Sequence, residues 1–242
     1  MNLGPWVLRL GALSATLSGV VCFLGVLAGV FDPHRASYAM ALCVFFGLLA
    51  VLASPFLPRA GGPRARAVQV AELLWIWTIA STCAQLGWEA PFVALSHWLD
   101  GVTAADTWAW LFWAYGVADS RYIIADPFIV CMEGVTAYVG GPAEIWTLVL
   151  FRRGQLQRAA RWGLVIAATQ LYGTLLYFGI EALDGFAHIN TGHPVDLWVK
   201  FLGLNALWIV LPALSMWACL HVLRTGAPEG LRRQTAPGIP AA

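Results

Sequence analysis

Six apolar stretches recur along the chain, at approximately 6–30, 38–57, 69–92, 127–151, 162–183 and 195–222, each close to the twenty or so residues that cross a hydrocarbon core. A backbone inside lipid must satisfy its own N–H and C=O groups, so runs of this length fold as helices that pack on one another. The chain therefore reads as all-α, a polytopic transmembrane bundle of about six helices. Its 242 residues are 60% hydrophobic and 11% charged, against about a quarter charged in a soluble domain. The connections leave no room for a further soluble domain, and a net charge of +1 gives nucleic acid nothing to bind. Cys22, Cys43, Cys83, Cys131 and Cys219 all fall in apolar runs and read as small core residues rather than a disulfide or metal framework.

The first run is longer than the apolar part of a signal peptide and has no basic stretch before it, so it is kept as a helix. Arginines mark alternate connections: Arg59, Arg64 and Arg66, then Arg152, Arg153, Arg158 and Arg161, then Arg224, Arg232 and Arg233. Short cytoplasmic loops accumulate basic residues, which puts these three segments, and with six spans both termini, on the cytoplasmic side. The segment Thr107 to Val117, TWAWLFWAYGV, is too short to span and crowded with aromatics; it is expected to lie at the interface or to re-enter the bundle. The tail from Gly226 onward is rich in Pro, Gly and Arg and is expected to be disordered.

Polar side chains inside the runs carry the functional information. Helical spacing puts Thr78, Thr82, Gln85 and Glu89 on one face of the third run, and Gln170, Thr174, Tyr177 and Glu181 on one face of the fifth. The fourth run adds Glu133 and Thr136, and the sixth adds Asn205 with Trp208 one turn on. An ionisable group at this depth costs roughly 2.5 to 3.5 kcal/mol on insertion scales and generally serves a partner or a reaction. Given the direction of each run, these groups are expected to converge in the outer half of the membrane around one pocket, where carboxyls can donate and accept protons and Trp208 can face a cation. Thr side chains can equally bond back to their own helix. Lys200 is expected to snorkel to the outer surface. Asp184, His188 and His193 lack ligand-like spacing, so no metal is expected, and no cofactor either.

The stretch Asp119 to Ala137, DSRYIIADPFIVCMEGVTA, resembles the emopamil-binding protein family of sterol isomerases, in the wider EXPERA group. QLYGTLLYF (Gln170 to Phe178), DGFAHINTGHP (Asp184 to Pro194) and NALWIVLP (Asn205 to Pro212) resemble the family's closing helices in the same order. The likeness covers roughly 38–222. It implies a five-helix core at 38–223, preceded by an extra helix and loop at 1–37 and followed by the cytoplasmic tail at 224–242.

The resemblance further implies an enzyme that shifts a ring double bond of a sterol or related polycyclic terpenoid through a carbocation, by protonation at one carbon and deprotonation at another. By matched position, Glu133, Glu89, Asn205 and Trp208 carry the chemistry, with Gln85, Thr136, Tyr115, Tyr177, Thr174 and Trp198 as substrate contacts. Gln85 stands where the family has His, and Ala114 where it has an acidic residue. Those departures keep two other readings open: an acid-initiated terpenoid cyclase or rearrangement enzyme, and a non-catalytic lipid-binding protein. The expected partners are the lipid substrate, the membrane and, in a homodimer, a second copy. The expected location is the endoplasmic reticulum membrane in a eukaryote or the cytoplasmic membrane in a bacterium.

Overall fold

A computed structural model describes residues 2–60, 62 and 64–226, so the expected disordered tail lies almost wholly outside the described residues. The described residues form a helical bundle with no strand beyond one isolated bridge, between Asp119 and Ile189. Five helices are long and apolar enough to cross a membrane: α1 (Leu3–Leu27), α2 (Pro33–Phe56, closing in a 3-10 turn), α3 (Arg66–Leu99), α6 (Leu156–Leu183) and α7 (Val195–Thr225). Between α3 and α6 lie the short α4 (Trp110–Gly116) and α5, which is continuous over 127–152. The protein is an integral membrane protein of all-α, polytopic type.

The fourth apolar run is α5. It falls outside the set of five because two acids, Glu133 and Glu144, interrupt its hydropathy; at about 1.5 Å per residue it is still about 39 Å long, enough to span. Asp126 starts it, accepting from the backbone N–H of Phe128 (2.9 Å) and Ile129 (3.2 Å), with Pro127 at the first helical position. Asp32 and Pro33 start α2 in the same way.

Three helices are widened by π-helical turns, at Gln85–Glu89 in α3, Thr136–Gly140 in α5 and Val195–Leu204 at the start of α7. Pro91 follows the first by two residues and Pro142 follows the second by two. Proline has no N–H to return to the preceding turn, and a wider turn accommodates the gap without ending the helix. The third run therefore does not stop near Pro91, as the sequence led us to expect, but continues to Leu99.

Antiparallel packing of α3 on α5 brings these features into register. Ser81 and Thr82 face Glu144, Gln85 faces Gly140, and Glu89 faces Thr136. At Gly140 a Cβ would stand 3.0 Å from Gln85 Oε1, so glycine lets the two backbones approach. Helices α1 and α2 also cross on small residues: a Cβ on Gly11 or Gly47 would come within 2.7 Å of the other's carbonyl oxygen.

Burial decides two expectations. The aromatic segment Thr107 to Val117 is not an interfacial anchor but takes its other expected form, folded back into the bundle with Trp108 half exposed. Trp110 and Ala114 are fully buried, Trp113 nearly so, and the Trp110 indole donates to Pro33 O at 3.3 Å. Lys200 does not snorkel either. It is 1% exposed, and its ammonium meets Asp196 (2.6 Å), Ser37 (2.8 Å) and Ala114 O (2.7 Å), tying α7 to α2 and α4. A close carboxylate one turn earlier, with two further acceptors beside it, gives the ammonium its partners inside, so it has no need of the surface.

Candidate active site

The DSRY turn is held by a buried ionic knot. Arg121, 1% exposed, donates to Asp119 through Nε (2.9 Å) and a terminal nitrogen (2.6 Å), while the Tyr177 hydroxyl also donates to Asp119 at 2.6 Å. Glu181 lies 3.2 Å from Arg121 Nε and 2.8 Å from His188 Nδ1. The loop between α6 and α7 closes the knot from outside, with Ser120 N–H donating to His188 O and Asn190 N–H to Ala118 O, both at 3.0 Å. Tyr177 and Glu181, read as members of a polar stripe, are used here to fix the turn. Their positions give Tyr122 a fixed direction, and its hydroxyl donates to Glu133.

Glu133 and Glu89 are both buried and lie side by side across the contact of α3 with α5. Thr136 supports the pair, its hydroxyl 2.5 Å from Glu89 Oε2 and 3.0 Å from Glu133 O. Two buried carboxyls side by side favour a proton on one of them, because two bare anions would repel in a medium that screens poorly. The arrangement can therefore hold a proton, give it up and take another back.

Aromatic rings close the space beside the pair. Trp88 lies 5.4 Å from Tyr122, 5.3 Å from Tyr115 and 5.8 Å from Phe112 between ring centroids, and Tyr115 meets Tyr122 edge-on at 4.8 Å. Asn205 donates to the Tyr115 hydroxyl at 3.0 Å and to Phe201 O at 2.7 Å. Asn205 and Tyr115 thus reach Glu133 only through Tyr122, while Thr136 joins Glu133 to Glu89.

The remaining candidates lie elsewhere. Trp208 packs edge-to-face on Trp77 at 5.0 Å, among Leu52, Leu73 and Leu211. Thr174 bonds back to Gln170 O at 2.9 Å, and Trp198 is 65% exposed on the outside of the bundle. Gln85 is fully buried, and neither its Oε1 nor its Nε2 has a protein partner.

A cavity of about 410 Å³ opens between α3, α5, α6 and α7, lined by Trp77, Thr78, Gln170, His221 and many aliphatic side chains. Its buried acid is Glu144, which accepts from Ser81 (2.6 Å), Thr82 (2.9 Å) and Gln170 (2.6 Å). The size suits a lipid-like ligand. Glu89 and Glu133 do not line it, so the polar groups expected around a single pocket are divided between this cavity and a ring-filled interior.

Three residues escaped the sequence reading. Glu144 stands eleven residues after Glu133, and the spacing applied to α3 and α6 finds it when applied to α5. Trp88 sits off the stripe that contains Glu89, and Tyr122 belongs to a loop, so helical spacing reveals neither. A grouping of Glu181, Asp184 and His188 brings ligand-type atoms within 4.8 Å of one another, which their separation in sequence concealed; the Arg121 guanidinium on Glu181 already supplies the positive charge there.

Fold and site define a helical membrane protein with paired acids in its interior. Residues 108–219 match the EXPERA (EXPanded EBP superfamily) family. The 3-beta-hydroxysteroid-Delta(8),Delta(7)-isomerase of Rattus norvegicus is 45% identical over 109 residues, 45% of this chain and 47% of that protein. A probable isomerase of the same name from Oryza sativa subsp. japonica is 35% identical over 100 residues, 41% of this chain and 44% of its own length. A protoglabretal synthase from Ailanthus altissima is 24% identical over 197 residues, 80% of this chain and 83% of that one. The chain is thus similar to the sterol isomerases of the EXPERA family through its second half, and the match spans about half the length of the isomerases compared.

Proposed function

We propose that this protein is a membrane isomerase that shifts a double bond in a sterol or related polycyclic terpenoid. The observation that carries the reading is the pairing of buried Glu89 and Glu133 inside the bundle, with hydroxyl donors from Thr136 and Tyr122 on either side. One carboxyl of the pair delivers a proton to an alkene carbon. The other, left as carboxylate, removes one from a neighbouring carbon, and the proton balance of the isomerisation closes at zero.

The cation between those steps needs electron-rich surroundings without a nucleophile. The rings of Trp88, Tyr115 and Tyr122 supply that beside the pair. Asn205 holds Tyr115 in place, and Trp77, backed by Trp208, walls the lipid-sized cavity through which the substrate enters. For the rings of the lipid to reach the acids, Trp88 swings aside and the substrate takes its ground. The Arg-rich connections support cytoplasmic placement of both termini, in the endoplasmic reticulum membrane of a eukaryote or the cytoplasmic membrane of a bacterium.

Glu133→Gln is expected to lower turnover of a Δ8-sterol by at least about 100-fold while leaving substrate binding within a few-fold, since general acid–base groups typically contribute 10²- to 10⁴-fold. Product analysis by mass spectrometry with the purified protein reads this directly. Unchanged turnover would remove Glu133 from the chemistry. The likeness to a terpenoid synthase over most of the chain supports a second reading, rearrangement of a terpenoid by the same acid pair; new rings or migrated methyl groups in the product distinguish it.

A further inference from the structure

We infer that Gln85 marks a water-held proton crossing between Glu144 and the Glu89–Glu133 pair. The inference deepens the isomerase reading and rests on it for its purpose. Along the α3–α5 contact, Glu144 lies on one side and Glu89 on the other, with Gln85 between them opposite Gly140. Gln85 is fully buried and neither end of its amide has a protein partner, which interiors seldom tolerate. It borders a crevice of about 80 Å³ whose polar walls are Gln85, Thr136, Thr169 and Gln170 and whose rim is apolar, including Val135, Val139, Trp162 and Val165. A single water needs about 10–15 Å³ and two to four polar partners, and this crevice supplies both.

Each side of the crevice joins an acid. The Thr136 hydroxyl is 2.5 Å from Glu89 Oε2, and Gln170 Nε2 is 2.6 Å from Glu144 Oε1. Gln170 also borders the 410 Å³ cavity, so it forms part of the partition between the two spaces. Glu144 borders the larger cavity rather than the crevice, so water alongside Gln170 takes one proton from its carboxyl, and each water passes on a different proton. The last gives one to the Thr136 oxygen as the Thr136 hydroxyl proton moves to Glu89. Glu144, left as carboxylate, regains a proton from the larger cavity. The amides of Gln85 and Gln170 orient the water and carry no proton themselves. Such a crossing resets the pair from solvent after a proton has been given to the wrong partner or lost.

The test is hydrogen–deuterium exchange of the full-length protein in lipid, read in the infrared. The carboxyl stretch of the acid pair is assigned by its loss in Glu89→Gln and Glu133→Gln and followed after transfer to D2O. Gln85→Leu and Gln170→Leu, each blocking the crossing from one wall, are expected to slow its shift at least tenfold, and Glu144→Gln to slow it too. In a working isomerase, Gln170→Leu should also reduce the share of product carrying solvent deuterium. Should one leucine variant fail to fold, the other decides. Exchange as fast in the folded leucine variants as in the parent overturns the crossing, whatever the protein catalyses. Exchange is read without substrate, so slowed exchange in a chain inert toward every sterol tried retains the crossing and removes the isomerase reading.

Discussion

Tyr122 illustrates how one hydroxyl ties structure to chemistry. The Arg121–Asp119 knot beside it fixes the turn, and its donation to Glu133 steadies one acid of the pair. Tyr122→Phe keeps the ring against Trp88 and Phe92 but removes the donor. A hydrogen bond to an ionised group contributes about 1.5–3 kcal/mol, so kcat on a Δ8-sterol should fall about 10- to 100-fold with the melting temperature little changed. Lys200 is the opposite case, a charge whose role is packing. Lys200→Met leaves Asp196 buried with only Asn190 at 2.9 Å and should destabilise the bundle by about 3–5 kcal/mol, while adding Asp196→Leu should recover much of the loss. Thermal unfolding in detergent of the two variants measures both.

Among the elements, the long apolar runs were plain in the sequence, because an apolar stretch of about twenty residues has few other ways to fold. Glu89, Glu133 and Thr136 were legible as neighbours for the same reason: helical spacing and an antiparallel pair of helices force them together. What spacing could not reveal is the phase slip at each π-helical turn, which turns Trp88 toward the acids and carries α3 through Pro91 to Leu99. Nor could it reveal that Lys200 and Asp196 would face inward, since one turn of separation suits a surface pair equally well. The α1–α2 crossing gives an element-scale prediction. Gly47→Val inserts side-chain atoms where even a Cβ meets Gly11 O at 2.7 Å, and should cost about 1–3 kcal/mol and loosen α1 from α2. Faster proteolysis of the loop around Gly29 to Asp32 would report it, and an unaltered digestion pattern would show the crossing to be slack.

On the scale of the whole molecule, the bundle separates a lipid-sized cavity from the acids proposed to work on its contents. The first lies toward the end bearing Arg66, the second among the aromatic rings of α3, α4 and the DSRY turn. Sequence reasoning merged the two because it could assign depth and face but not which rings fill the space between. Pro91 and Pro142 bear on how that separation behaves. Each lacks the N–H that would close the preceding turn more tightly, so the two facing turns keep their wider winding and form a clasp joined by the Thr136–Glu89 hydrogen bond. Warming or lipid exchange should loosen the surrounding rings well before it unfastens that clasp, and the two acids should meet each incoming molecule at the same separation.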